Sequence, residues 1–200
     1  MESTSRDRAI LWAPRAAERG HELLSTGTPC EVLARIVPED PLGLRALVAA
    51  RLGKQALLCD AERVLLSAQA LCALQASTWR GEPEFATWLE GRVTDALLVA
   101  IGEECAAPSG GFVEALRSFA EPLALDPCRL AAACTRFNRL PFEQREAFCA
   151  LVLDADGADH CARARGLSLS ELARRARAGL QLFRRPPAAA HAHLRTASAF

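Results

Sequence analysis

The sequence predicts an all-α protein built from two small helical domains. Apolar residues recur at spacings of three and four, and Ala and Leu dominate the composition. The alternation of β-branched residues that marks half-buried strands is almost absent. Half of the 200 residues are hydrophobic and 24% are charged, a balance that fills a core and argues against global disorder. No run of about 18 uncharged apolar residues occurs, which rules out a membrane-spanning helix in the sequence reading. The N-terminus MESTSRDRAILW carries both signs of charge and no apolar run with a small-residue cleavage site, so a cytoplasmic location without membrane partners is expected.

Taken in order, residues 8–24 suit an opening helix that Pro14 would end or kink. Cys30–Val37 reads as a short helix stopped by Pro38. Asp40 stands ahead of Pro41 at a first helical position and starts a helix through LGLRALVAARL. A longer helix covers about Asp60–Ser77, with Val64, Leu65, Ala68, Leu71, Cys72 and Gln75 on its buried face. Pro83 opens the next, which runs through EFATWLEGRVTDALLVAI to Gly102. The stretch 103–111, EECAAPSGG, gathers Pro, Ser and two Gly and reads as an interdomain linker. Helical patterning follows over 112–120, is broken at Pro122 and resumes over 126–138. The expected division is an N-terminal extension 1–39, a first domain 40–104, a linker 105–125, a second domain 126–185 and a mobile tail 186–200.

Beyond Leu140 the signals sharpen. Pro141 at a first helical position opens FEQREAFCALVL, an amphipathic helix ended by DADG. The short helix ADHCARAR stops at Gly166, which suits a left-handed C-cap. Ser168 caps the following helix, and Glu171 three residues on completes a capping box. That helix runs from about Leu169 to Arg185, where Pro186 and Pro187 end it.

Eight cysteines (30, 59, 72, 105, 128, 134, 149 and 161) sit for the most part in apolar helical patterns, without an export signal. A reduced protein using cysteine as a small buried hydrophobe is the expectation. No CxxC pair and no Cys/His cluster at ligand spacing occurs, and His191 and His193 lie in an Ala/Pro-rich tail, so no metal and no cofactor is expected. Nor is there a Gly-rich phosphate loop, an HExxH or a nucleophile setting, so no enzymatic activity is expected.

The formal charge is zero, but it is unevenly spread. Residues 1–125 hold 12 basic and 17 acidic side chains, whereas residues 126–200 hold 12 and 7. Within 160–185 seven arginines stand against one acid, Glu171. Two helices joined by a tight glycine-containing turn, the second rich in Arg, make the C-terminal domain a helix-turn-helix. Ala162, Leu167, Leu172 and Ala176 pack the pair, leaving Arg174 and Arg177 outward with Arg175 beside them. Ser170 and Glu171 at the helix start would enter a major groove, while the arginines reach phosphates and guanine edges. Arg163 and Arg165 on the preceding helix would face the DNA backbone. A solvated basic helix face is the alternative reading of the same charges.

The stretch RLPFEQREAFCALVLDADGADHCARARGLS (139–168) resembles region 4 of the sigma factors of bacterial RNA polymerase, particularly the small extracytoplasmic-function group. Leu140, Pro141, Arg145, Phe148, Ala162, Gly166 and Ser168 fall on that region's positions without a gap. Upstream, WRGEPEFATWL (79–89) is similar to an aromatic-Arg-Gly-x-x-x-Phe-x-Thr-Trp-Leu segment of region 2, and DAERV (60–64) resembles the start of its Asp-Ala-Glu-Asp helix. The likeness spans residues 40–185, with the motifs in the family's order. It implies a sigma-factor-like initiation protein that binds double-stranded promoter DNA through its last helix and recruits core RNA polymerase. An anti-sigma protein is a further implied partner. Residue by residue, it puts Asp60 and Glu62 at the polymerase contact and Trp79 and Arg80 near the promoter-melting segment. Ser170, Glu171, Arg174, Arg175 and Arg177 fall on or beside the recognition helix.

The chain also departs from that pattern. Arg63 replaces the family's second Asp, and Leu66-Ser67 replaces its Gln-Glu. Glu90, Asp95, Glu103 and Glu104 follow Trp88 where basic residues are the rule, with Arg92 alone among them. Acids there oppose phosphate. The alternative is therefore a diverged sigma-like interaction module or DNA-binding regulator that no longer opens promoters.

Overall fold

The computed structural model describes residues 20, 22–102, 110–154 and 156–184. Most of the opening helix expected over 8–24, together with Cys105, Arg185 and the tail 186–200, lies outside them. All regular elements among the described residues are helical, and none of the helices is long and apolar enough to cross a membrane. The chain divides into two compact units, Met1–Lys54 with Cys59–Glu103, and Gln55–Leu58 with Glu104–Phe200.

The first unit contains α1 (Pro29–Ile36), α2 (Leu44–Lys54), α3 (Ala61–Gln75) and α4 (Phe85–Gly102). Helix α1 opens with a complete capping box: Thr28 accepts the Glu31 amide, and the Glu31 carboxylate accepts the Thr28 N–H at 2.7 Å. The expectation that Asp40 and Pro41 begin α2 is corrected. Glu39 and Asp40 hold positive φ (58° and 46°), and helical geometry starts only at Leu44. Asp40 still serves that end, since its carboxylate accepts the N–H groups of Leu44 and Arg45 at 2.9 and 2.8 Å. Helix α3 packs against α1, α2 and α4. Its buried face holds Val64, Leu65, Ala68 and Cys72 as expected, completed by Gln69 and Ala73 rather than by Leu71 and Gln75, which are half-buried. Facing it, α4 buries Phe85, Trp88, Leu89, Val93, Ala96 and Leu97.

The second unit contains α5 (Gly110–Ala115), α6 (Arg117–Ala120), α7 (Pro127–Asn138), α8 (Phe142–Phe148), α9 (Gly157–Arg165) and α10 (Leu169–Arg184). Helices occur where helical patterning was expected over 112–120, but this part of the stretch read as linker is not a spacer, since its Leu116, Phe119 and Ala120 are buried in this unit's core. Glycine and proline there bound short helices whose apolar residues still recur at helical spacing. Four phenylalanines from four helices form the centre. Phe119 meets Phe183 and Phe148 edge-on with centroids 4.7 and 5.4 Å apart, while Phe137 lies 4.9 Å from Phe148. Such pairs add about 0.5–1.5 kcal/mol beyond the area they bury. Helix α8 continues as a π-helical turn over Cys149–Leu153, where Asp154 N–H reaches the Cys149 carbonyl at 3.0 Å.

Segment 55–58 joins the same core through a side-chain clamp. The Asn138 amide accepts the Leu58 N–H at 2.8 Å and donates to the Leu58 carbonyl at 3.1 Å, and both residues are buried. One asparagine therefore satisfies both backbone groups of a residue 80 positions away.

Candidate nucleic-acid interface

The turn between α9 and α10 has the geometry that its glycine implies. Gly166 closes α9 in the left-handed region (φ 63°), and its N–H reaches back to the carbonyl of Arg163. Leu167 N–H bonds the Ala162 carbonyl at 2.9 Å, so the chain reverses within a few residues. Ser168 Oγ then accepts the Glu171 N–H at 3.2 Å and caps α10.

Helix α10 carries two opposed stripes. Leu172, Ala176, Gly179 and Phe183 are buried at a helical repeat. Ser170, Arg174, Arg177, Gln181 and Arg184 follow the same repeat about half a turn away, and all are exposed. The buried stripe sits close on its neighbours, since a Cβ added at Gly179 would meet Phe148 at 2.7 Å and Phe137 at 3.0 Å. An open cleft of about 490 Å³ runs beside the exposed stripe, lined by Glu143 and Gln144 of α8 and by Arg174, Arg175, Arg177 and Gln181 of α10.

The arginines fall into two electrical states. Glu171 binds Arg174 through two bonds of 2.8 Å and also accepts Arg175 Nε at 3.2 Å. Those bonds from Arg174 and Arg175 pull its carboxyl down to about 2, and they raise the Arg174 guanidinium in turn. Arg165 is gripped by Glu146 of α8 through bonds of 2.9 and 2.7 Å, with its guanidinium 5.5 Å from the Phe142 ring. Among the described residues of α9 and α10, Arg163, Arg177 and Arg184 are exposed and have no carboxylate partner. Arg163 Nε donates only to the Asp159 carbonyl, at 3.2 Å.

Comparison with protein-family models, with curated proteins and with solved structures returns no match.

Geometry thus brings together the expected residues Ser170, Glu171, Arg174, Arg175 and Arg177 at one end of α10, with Arg163 and Arg165 on the preceding helix. It also corrects the capping box. The Ser168 half is present, but the Glu171 carboxylate is turned to two guanidinium groups instead. The signal for this was in the sequence, since Glu171 stands three and four residues before Arg174 and Arg175.

The expected residues of the first unit are held within that unit. Asp60 caps α3, accepting the N–H groups of Glu62 and Arg63. Glu62 is exposed and pairs with Arg45 at 3.3 Å. Trp79 packs its ring against Phe85 (5.0 Å) and Trp88 (6.2 Å) and donates its indole N–H to the Pro83 carbonyl at 2.8 Å. Arg80 beside it is exposed. No group of residues suited to a metal ion occurs among the described residues, and none of the seven described cysteines is in a disulfide. Burial pushes the Cys72 thiol up to about 12 and the Cys149 thiol up to about 11.

Proposed function

We propose that this chain is a sigma-factor-like protein of transcription initiation that binds duplex DNA through α9 and α10, a helix-turn-helix in this reading. The observation that carries the proposal is the pair of opposed stripes on α10. One face is locked onto the phenylalanine core, and the other presents Ser170, Arg174, Arg177 and Arg184 to solvent behind a tight glycine turn. A helix anchored in this way can lie in a major groove without disturbing the core, with its N-terminal turn toward base edges. Arg177 and Arg184 on that helix and Arg163 on the one before it would meet phosphates directly. Arg174 and Arg175 are held by Glu171 and would reach phosphate or guanine only where those pairs open. The ordered motifs add core RNA polymerase and promoter DNA as partners in the cytoplasm, with an anti-sigma protein as a regulator. No catalytic role is proposed.

A second reading is favoured by the first unit. Trp79, which would stack on an unpaired base, already packs on two other aromatic rings, and Glu62 already has Arg45. A DNA-binding regulator that no longer opens promoters fits these engagements. The test is to select duplexes from a randomised pool with the full chain, then add core RNA polymerase to the enriched duplex. Sequence-selective enrichment together with a stable three-part complex supports the initiation reading. Enrichment without polymerase supports the second reading, and no enrichment removes both.

A further inference from the structure

Segment Gln55–Leu58 belongs to the second unit, although the chain on both sides of it, up to Lys54 and from Cys59 onward, belongs to the first. The chain therefore passes from unit to unit after Lys54, again after Leu58 and again after Glu103. The segment lies between the end of α2 and the start of α3 and forms no helix of its own. Its hold on the second unit is concentrated in one residue. Leu58 is buried in the core that the phenylalanines centre, and the Asn138 side chain meets both of its backbone groups. Asn138 is the last residue of α7, and Arg145 of α8 fixes that end by donating to the Asn138 carbonyl at 2.6 Å. Within the segment, Ala56 holds φ 48°, a conformation that non-glycine residues rarely adopt.

We propose that Gln55–Leu58 is a releasable latch, which leaves the second unit as one piece while both units stay folded. Release breaks the two bonds to the Asn138 amide and withdraws one leucine, and it leaves Phe119, Phe137, Phe148 and Phe183 packed on one another. The freed polar groups are not stranded. Asn138 ends its helix and Leu58 stands outside any helix, so water meets both residues once they part. Release also lets Ala56 return to an ordinary backbone conformation, which relieves a local strain. Closed, the latch limits how far one unit can travel from the other to the reach of the short stretches beside Leu58, about 3.3–3.6 Å for each extended residue. Open, only the connection after Glu103 sets that limit. The proposal goes beyond the DNA-binding reading and uses no residue of α9 or α10.

The test is native-state amide hydrogen exchange of the full chain, followed by NMR from zero urea to concentrations below the unfolding transition, with no nucleic acid present. The Leu58 N–H is compared with those of Phe137 in α7 and Cys72 in α3, both deep in helices of the two units. Leu58 is expected to be protected, yet to exchange at least about tenfold faster than either of them. Its rate is expected to be nearly flat in urea, because release exposes little surface, whereas Phe137 and Cys72 respond steeply. Asn138→Ala is expected to speed Leu58 exchange at least about tenfold further and to keep it flat in urea. Leu58 exchanging in the wild type with the rate and urea response of Phe137 would show that the segment leaves only when its unit unfolds, and overturns the proposal. So does a Leu58 N–H as fast as in a free peptide, since no latch is then closed, or a rate that Asn138→Ala leaves unchanged. The wild-type comparison decides on its own if the variant does not fold.

Discussion

Glu171 neutralises part of the face it belongs to, because one carboxylate holds both Arg174 and Arg175. Its carboxyl titrates near 2 instead of the ordinary 4.5, so the ion pairs stabilise the fold above about pH 4.5. That contribution is lost as pH falls through about 2. All three side chains touch solvent, so the effect is small. Glu171→Gln is expected to lower the thermal midpoint at pH 7, with the difference shrinking below pH 4.5 and closing near pH 2. A difference constant across that range would remove the ion-pair account. Asn138 makes a larger contribution because its amide is buried. Asn138→Ala leaves the Leu58 N–H and carbonyl without their clamp, at a cost of about 1–3 kcal/mol for each orphaned group. Urea unfolding measures it, and a loss under about 0.5 kcal/mol would mean that water replaces the amide.

At the scale of elements, the same substitution should act with opposite signs on two helices. Gly179 of α10 stands against Phe148 and Phe137, whereas a Cβ at Gly91 of α4 meets nothing within 4 Å. Alanine in an exposed helix interior gains about 0.5–1 kcal/mol over glycine, while overpacking a core costs about 1–3 kcal/mol. Gly91→Ala is therefore expected to raise the urea midpoint and Gly179→Ala to lower it; a rise in both would show that α10 shifts freely on its core. These helices were legible in the sequence because their signals are local. The Gly166 turn, the Ser168 cap and the stripe of Leu172 and Ala176 all lie within a few residues of one another. The Asn138 clamp was not legible, since its partner is 80 residues away and neither residue is unusual in type. Nor was the packing of Leu116 and Phe119 into the second unit's core, because 112–120 read as helical but the stretch 105–125 read as a linker. Gln69 was hidden differently, as a polar residue on a helix face that packing makes almost fully buried.

Over the whole molecule the charges cancel, yet the acidic excess lies in residues 1–125 and the basic excess in 126–200. If DNA is the partner, affinity depends on how many arginines are free to displace counterions. Each phosphate neutralised adds about 0.9 to the slope of log affinity against log salt. Counting the six described arginines of 163–184 as free would give a slope of about −5. Ion pairing leaves Arg163, Arg177 and Arg184 free, which lowers the expectation to about −3. Anisotropy on a labelled duplex between about 50 and 200 mM salt distinguishes the two. Glu171→Gln releases Arg174 and Arg175 and is expected to steepen the slope by about 2 and to tighten binding at low salt. Arg177→Ala is expected to flatten it by about 1. A wild-type slope near −5 that Glu171→Gln leaves unchanged would mean that DNA opens these pairs at little cost. The acidic partners would then restrain binding only in the free protein. The expected pattern, −3 moving to −5, would make Glu171 the residue that sets how strongly α10 grips any duplex.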